Sequence, residues 1–93
     1  MEVKHQDLGN KGSFYIGEEN DKKGEMTYSK AGDQMIIIDH TEVSEELKGK
    51  GAGKQMLMKA VEMARNKNLK ILPLCPFAKS VFDKDQSISD VLS

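Results

Sequence analysis

One stretch, residues 42–54, decides how the fold is interpreted, and it reads EVSEELKGKGAGK. Its glycines Gly49, Gly51 and Gly53 lie between an apolar run at 35–38 and a segment with helical apolar spacing at 56–64. The stretch therefore predicts the end of a strand, a loop and the start of a helix. Glycine allows left-handed backbone angles, and the first turn of a helix offers free N–H groups at the positive end of its dipole. We therefore predict an anion site here, and phosphate is the anion that suits it best.

The residues before this stretch have the pattern of an antiparallel meander. Weak alternation at 2–6 indicates a short first strand, and residues 13–18 and 25–30 alternate in the manner of half-buried strands. Residues 34–40 include the run Met35 to Ile38, which is apolar on both faces. Such a run predicts a central strand covered on both sides.

The residues after it predict a crossover. One side of a helix is apolar through Met56, Leu57, Ala60, Val61 and Ala64. The apolar run at 69–74 follows this helix, so we expect it to lie parallel to the strand at 34–40. Pro73 has no N–H for a ladder and suggests a place where two strands separate, and Pro76 suits the start of a short C-terminal helix. Residues 1–93 are thus predicted to form one α+β domain.

Composition excludes several classes of protein. Fourteen lysines and arginines oppose 15 aspartates and glutamates, a net charge of −1, so no overall field favours nucleic acid or a membrane surface. The single cysteine, Cys75, excludes an internal disulfide, and two histidines form no zinc motif. No apolar run is long enough for a membrane span or a signal peptide. We expect a cytoplasmic monomer with no metal, nucleic-acid or membrane partner.

Two nucleotide motifs fail to match the glycine loop. A dinucleotide fingerprint places its glycines directly after the first strand of a βαβ unit, whereas here they follow a late strand of a meander with residues 41–47 between. A P-loop ends in Gly-Lys-Ser/Thr with an earlier glycine at fixed spacing, but Gly53-Lys54 is followed by Gln55 and position 48 is lysine.

The loop instead resembles the acyl-CoA pyrophosphate loop of the GNAT acetyltransferase superfamily, whose pattern is Arg/Gln-x-x-Gly-x-Gly/Ala at the start of its main helix. Residues 48–53, KGKGAG, fit this pattern with lysine at the first position. The resemblance implies that acetyl-CoA is the cosubstrate and that backbone N–H groups of the loop hold its pyrophosphate. It also implies that the strand before the loop pairs with the pantetheine arm.

The resemblance extends to residues 40–43 and 72–77, which are similar to small single-domain GNAT-like proteins without the superfamily's N-terminal helices. By this resemblance the backbone near Val43 pairs with pantetheine or polarises the thioester carbonyl, and the acyl arm enters near Pro73. For any one lysine of the loop, a solvated surface charge is the commoner role, and Lys54 is the preferred side-chain contact. The implied cofactor-binding residues are Thr41, Val43, Lys48, Gly49, Lys50, Gly51, Ala52, Gly53, Lys54, Pro76, Phe77 and Lys79.

The candidate catalytic residues are Cys75, His40 and Glu42. Cys75 precedes a predicted helix start, where the dipole favours a thiolate, although an isolated cysteine is often only a small buried residue. Larger GNAT enzymes place a tyrosine acid where this sequence has Phe82, so Cys75, water or another group must replace it, or activity is poor. Histidine changes charge near neutral pH, which makes His40 a candidate base beside Glu42, although a structural role is commoner for each.

Three functions remain open at this stage. The first is transfer of an acetyl group from acetyl-CoA to an unidentified amine or peptide, either directly or through an acetylated Cys75. The second is a non-catalytic acyl-CoA-binding or regulatory module of the same fold. The third, nucleic-acid binding through the lysine loop, is disfavoured by the acidic net charge and the lack of an aromatic and basic platform.

Overall fold

The computed structural model describes residues 1–93, which form one five-stranded sheet and two α-helices. The strands are β1 (Lys4–Asp7), β2 (Lys11–Glu18), β3 (Asp21–Ala31), β4 (Met35–Val43) and β5 (Lys70–Pro73). The helices are α1 (Ala52–Lys67) and α2 (Pro76–Lys84), and short 3₁₀ segments lie at Glu45–Leu47 and Gln86–Val91. The strands lie in chain order, antiparallel except for the parallel pair of β4 and β5. The predicted meander, crossover helix, parallel strand and short C-terminal helix are confirmed.

All the helices pack on one face of the sheet, which we call the inner face. Helix α1 contacts β2, β3, β4 and β5, and both α2 and the last 3₁₀ segment contact α1. The core between these layers includes Met26, Ile36, Ile38 and Leu57, none more than 1% exposed. The apolar side of α1 is therefore buried as its spacing predicts.

The opposite face of the sheet, the outer face, carries no helix. Ile36 and Ile38 are buried on the inner face, but Met35 and Ile37 are only half-buried on the outer face. The prediction that this strand is covered on both sides is therefore wrong. A continuous apolar run usually indicates two covering layers. Here only neighbouring side chains shield the outer residues of the run.

Strand β4 contains a bulge at Asp39. Tyr28 of β3 pairs with Ile38, whereas the preceding residue Thr27 pairs with His40, so Asp39 is an extra residue without a partner. A bulge of one residue reverses which side chains face inward. As a result Thr41, which pairs with the buried Met26, lies on the inner face after the bulge.

Left-handed glycines lead into α1. Gly49 has φ 78° and Gly51, the residue that caps the N-terminus of α1, has φ 74°; an added Cβ would meet no atom within 4 Å at either position. The requirement for glycine is therefore one of backbone conformation and not of space. At its other end α1 stops at Asn68, which also adopts left-handed angles and whose N–H bonds to the Ala64 carbonyl. Asparagine tolerates left-handed angles better than most residues and therefore suits this helix end.

Residues His5, Phe14 and Tyr28 form a cluster near the start of the sheet. The His5 Nε2 atom lies 2.6 Å from the Tyr28 hydroxyl, and the imidazole stacks on Phe14 with a centroid distance of 4.4 Å. Burial lowers the pKa of His5, with Asp7 acting in the opposite direction and Lys67 and Lys30 adding to the effect of burial. The folded protein therefore favours neutral His5.

We predict that replacing Gly51 with alanine lowers the free energy of unfolding by about 1–2 kcal/mol, because a Cβ is strained at left-handed angles. Asparagine tolerates these angles better, so Gly51→Asn should cost less than half as much. Urea denaturation of both variants measures the difference. Equal losses for the two substitutions would contradict the conformational explanation.

We predict that His5 makes the protein less stable in mild acid. The pKa of His5 is lower in the folded state than its ordinary 6.5, so the unfolded chain binds this proton first. The stabilisation is present above about pH 6.5 and is lost as the pH falls through the folded pKa. Urea denaturation at about pH 7.5 and 5.5 should show a smaller change with pH for His5→Gln than for the wild type. The control His40→Gln replaces the exposed histidine and should keep the wild-type change; the same reduction in both variants would refute the assignment to His5.

Candidate active site

A cavity of about 400 Å³ lies between the end of β4, the glycine loop and α2. Its lining includes nine of the residues that the sequence predicted for cofactor binding: Thr41, Val43, Lys48, Gly49, Gly51, Ala52, Gly53, Lys54 and Phe77. Three others, Lys50, Pro76 and Lys79, do not line it. Leu47 also lines the cavity, and the sequence analysis did not name it. Its position as an apolar residue beside the glycine loop could have indicated it. We call this space the loop cavity.

The N-terminus of α1 opens into the loop cavity. The first helical hydrogen bond runs from the Gln55 N–H to the Gly51 carbonyl at 3.0 Å, so the amides of Ala52, Gly53 and Lys54 precede the helical ladder. Gly51 provides no side-chain cap, and the first turn contains no acidic residue. The positive end of the dipole is therefore available to an anion.

Phe77 closes one side of this helix start. A Cβ on Gly53 would lie 2.7 Å from the Phe77 ring, so the third glycine of the loop permits a close approach of helix and ring. The Phe77 side chain is still 38% exposed and forms part of the cavity wall. Glycine is thus required for two different physical reasons: the backbone conformation at Gly49 and Gly51, and the lack of space for a side chain at Gly53.

The loop lysines differ in their partners. The Lys48 Nζ atom is 2.8 Å from a Glu45 carboxylate oxygen, whereas Lys54 has no carboxylate within ion-pair distance. Lys50 is also unpaired but does not line the loop cavity. Lys54 is therefore the lysine that both lines the cavity and has a charge free for an anion.

Strands β4 and β5 separate at the edge of this cavity. Their pairing ends at Ile38 and Pro73, where the Ile38 carbonyl accepts hydrogen bonds from the Leu74 and Cys75 amides, both at 3.1 Å. Beyond that point residues 39–43 of β4 have no neighbour on the β5 side. Strands β4 and β5 therefore separate at Pro73, as the sequence suggested.

The free edge of β4 presents backbone groups. The Ser44 amide donates to the Lys23 carbonyl of β3 at 2.8 Å. Backbone groups alternate in direction along an antiparallel strand, so Glu42 also faces β3 while Thr41 and Val43 face away from it. Both of these residues line the loop cavity. An extended ligand could therefore pair with them as an added strand does.

Cys75 does not line the loop cavity itself but lies directly behind Thr41, which does. The Cys75 thiol donates to the Thr41 hydroxyl at 3.2 Å, and Cys75 is only 5% exposed. Its backbone caps the N-terminus of α2, with Pro76 at the first helical position, as the sequence predicted. Phe82, at the position where larger GNAT enzymes have a tyrosine, is buried in the core.

The other two candidate catalytic residues lie on the opposite face. His40 and Glu42 pair with Thr27 and Glu25 on the outer face, and the His40 Nε2 atom lies 2.9 Å from a Glu42 carboxylate oxygen. Both side chains are exposed. The structure therefore brings His40 and Glu42 together but does not bring them to Cys75.

No group of three histidine, cysteine or carboxylate side chains is placed to hold a metal ion. Lys79 lies 3.7 Å from Asp83 on the exposed side of α2. No helix has the length and hydropathy to cross a membrane.

Comparison with known proteins extends the resemblance seen in the sequence. The sequence profile of the GCN5-related N-acetyl-transferases matches residues 13–91. The solution structure of a GCN5-like candidate N-acetyltransferase from Staphylococcus aureus is 45% identical, with a TM-score of 0.76 over 97% of this chain and 87% of the other. A search of curated protein sequences finds no match.

More distant structures share the fold alone. A ribosomal-protein-alanine N-acetyltransferase from Brucella melitensis is 14% identical, with a TM-score of 0.66 over 81% of this chain and 60% of that one. The GCN5 crystal structure from Tetrahymena is 16% identical, with a TM-score of 0.63 over 81% of this chain and 49% of that one. Because the family profile matches residues 13–91 and the Staphylococcus aureus structure is 45% identical, the chain belongs to the GCN5-related N-acetyltransferase family.

Proposed function

We propose that the protein binds acetyl-CoA in the loop cavity and transfers the acetyl group to an amine. The pyrophosphate lies on the free amides of Ala52 to Lys54, and the pantetheine arm runs along the free edge of β4. The observation that carries this proposal is the continuity of the loop cavity. Its lining extends from the N-terminus of α1 to Val43 and Thr41 on the β4 edge, and Thr41 contacts Cys75.

Each part of the ligand finds a matching group. The pyrophosphate is an anion, and the unbonded amides, the helix dipole and Lys54 can all bind it. The amide groups of pantetheine suit the outward backbone groups of Thr41 and Val43. One of these N–H groups also stabilises the oxyanion that forms when the thioester carbonyl is attacked.

The transfer proposed here is direct. The neutral amine nitrogen attacks the carbonyl carbon, a C–N bond forms, and the C–S bond breaks to release the CoA thiolate. The amine loses a proton to the His40 and Glu42 pair, and the thiolate takes a proton from the Cys75 thiol or from water. A Cys75 nucleophile would need a base, and its hydrogen-bond partner is the Thr41 hydroxyl, which is not one. The geometry thus supports Cys75 as a proton donor to the leaving group.

We predict that acetyl-CoA shifts the backbone amide resonances of residues 43–54 in a titration followed by NMR. Lys54→Ala should weaken binding about tenfold, because it removes a positive charge without an ion-pair partner next to the proposed phosphate site. The matched control is Lys67→Ala at the far end of the same helix, which should leave the dissociation constant unchanged. Failure of acetyl-CoA to move any resonance between Val43 and Lys54 would disprove the proposed cofactor site.

We predict that Cys75→Ala lowers kcat by about 10²-fold, the usual loss when a positioned proton donor is removed. Cys75→Ser keeps a donor of similar size and should retain more activity than Cys75→Ala. Mass spectrometry of the wild type quenched during turnover should show no acetyl group on Cys75. Acetylated Cys75, together with complete loss of turnover in both variants, would show that transfer proceeds through a covalent intermediate instead.

A further inference from the structure

We infer that the nucleotide end of acetyl-CoA, its 3′-phosphoadenosine, binds in a second cavity that adjoins the loop cavity and lies along the exposed face of α1. This inference rests on the proposed function. The second cavity has a volume of about 490 Å³. Its lining comes from Met1 and Val3 and from one stripe of residues that begins at Gly51, the cap of α1, and ends at Glu62. We call it the helix-face cavity.

The helix-face cavity continues the path of the ligand beyond the pyrophosphate. Gly51 and Lys54 line both this cavity and the loop cavity, so the two spaces meet at the N-terminus of α1. CoA carries its pantetheine arm on one side of the pyrophosphate and its 3′-phosphoadenosine on the other. In the proposed site the pantetheine arm extends from the helix start towards Thr41. The adenosine then extends the other way, past Gly51 and Lys54, into the helix-face cavity.

The charges of the helix-face cavity favour a second phosphate. Its charged side chains are Lys54, Lys59 and Glu62, and none of them has an oppositely charged group within ion-pair distance. The two lysines lie nearer to the positive end of the helix dipole than the single carboxylate does. Lys59 is five residues beyond Lys54, which is about 7.5 Å along the helix axis. Because Lys54 serves the pyrophosphate, Lys59 is the cation that remains for the 3′-phosphate.

The rest of the lining suits a purine base. Val3 and Met58 line the cavity and are half-buried against the hydrophobic core. A methionine thioether makes favourable contacts with aromatic rings, so Met58 can lie against a purine. The Gln55 amide can donate and accept hydrogen bonds, and the Glu62 carboxylate can accept one from an exocyclic amino group. The volume of the cavity also lies within the range of about 300–1,000 Å³ for small-molecule pockets.

The inference predicts that the protein distinguishes acetyl-CoA from acetyl-dephospho-CoA, which lacks only the 3′-phosphate. Isothermal titration should show that the wild type binds acetyl-CoA about fivefold more tightly, because only this ligand meets the Lys59 ammonium. Lys59→Ala should weaken acetyl-CoA binding by the same factor and leave acetyl-dephospho-CoA binding unchanged. Equal affinity of the wild type for the two ligands, or an equal loss of both affinities in Lys59→Ala, would overturn the inference.

The matched control is Lys67→Ala, at the other end of α1 and outside the cavity, which should keep the wild-type preference for acetyl-CoA. Lys59 is exposed on its helix, and alanine is the best helix former, so neither the core nor the helix depends on the lysine. Dispersed amide spectra show that both variants are folded. Loss of the preference in Lys67→Ala as well would refute the assignment of the 3′-phosphate to Lys59.

An NMR titration with acetyl-CoA separates this inference from the proposed function. The backbone amide resonances of Val3, Met58 and Lys59 should shift together with those of residues 43–54. Shifts within residues 43–54 that leave Val3, Met58 and Lys59 unmoved would refute the nucleotide site in the helix-face cavity, while the proposed cofactor site would stand. The absence of shifts in both groups would refute the cofactor site and the nucleotide site together.

Discussion

The Ile38 carbonyl is the point on which the candidate active site depends. It accepts hydrogen bonds from two successive amides, Leu74 and Cys75, and so ends the parallel ladder while β4 continues. A parallel strand that stopped together with its neighbour would leave no free edge. Because β5 stops first, the backbone of Thr41 and Val43 stays available to a ligand. The same two bonds fix Cys75 at the start of α2, beside Thr41.

The bulge at Asp39 separates two groups of side chains. In a regular strand Thr41 would share a face with Ile37, on the outer side. The extra residue moves Thr41 to the inner face next to Cys75, and it moves His40 and Glu42 to the outer face. Cys75, the proposed proton donor, and the His40 and Glu42 pair, the proposed base, are therefore divided between the two faces of one strand. A bulge placed at a site in this way re-aims side chains without a change in strand order.

Local patterns predicted much of this structure. The helical spacing of α1, the glycine loop and Pro76 at the first position of α2 are properties of a few neighbouring residues, and each could be recognised in the sequence. The bulge could not be predicted, because it depends on which residue of β3 lies opposite each residue of β4. Coverage of the outer face was predicted wrongly for a similar reason, since the run Met35 to Ile38 shows where apolar residues are and not which layers exist. The ion pair of Lys48 with Glu45, which distinguishes Lys48 from Lys54, spans three residues and depends on the 3₁₀ turn at Glu45–Leu47, which the sequence analysis did not predict.

The outer face of the sheet has no helix over it and is shielded by side chains instead. Tyr15 on this face is only 8% exposed, and the Lys22 side chain lies over its ring with the ammonium 4.8 Å from the ring centroid. Lysine stems can shield apolar surface while their charged ends remain in water. This side-chain layer takes the place of a covering helix over the middle of the sheet. It leaves a gap between Ser13 and Asp39, and that gap reaches β4 at the bulge where the strands separate.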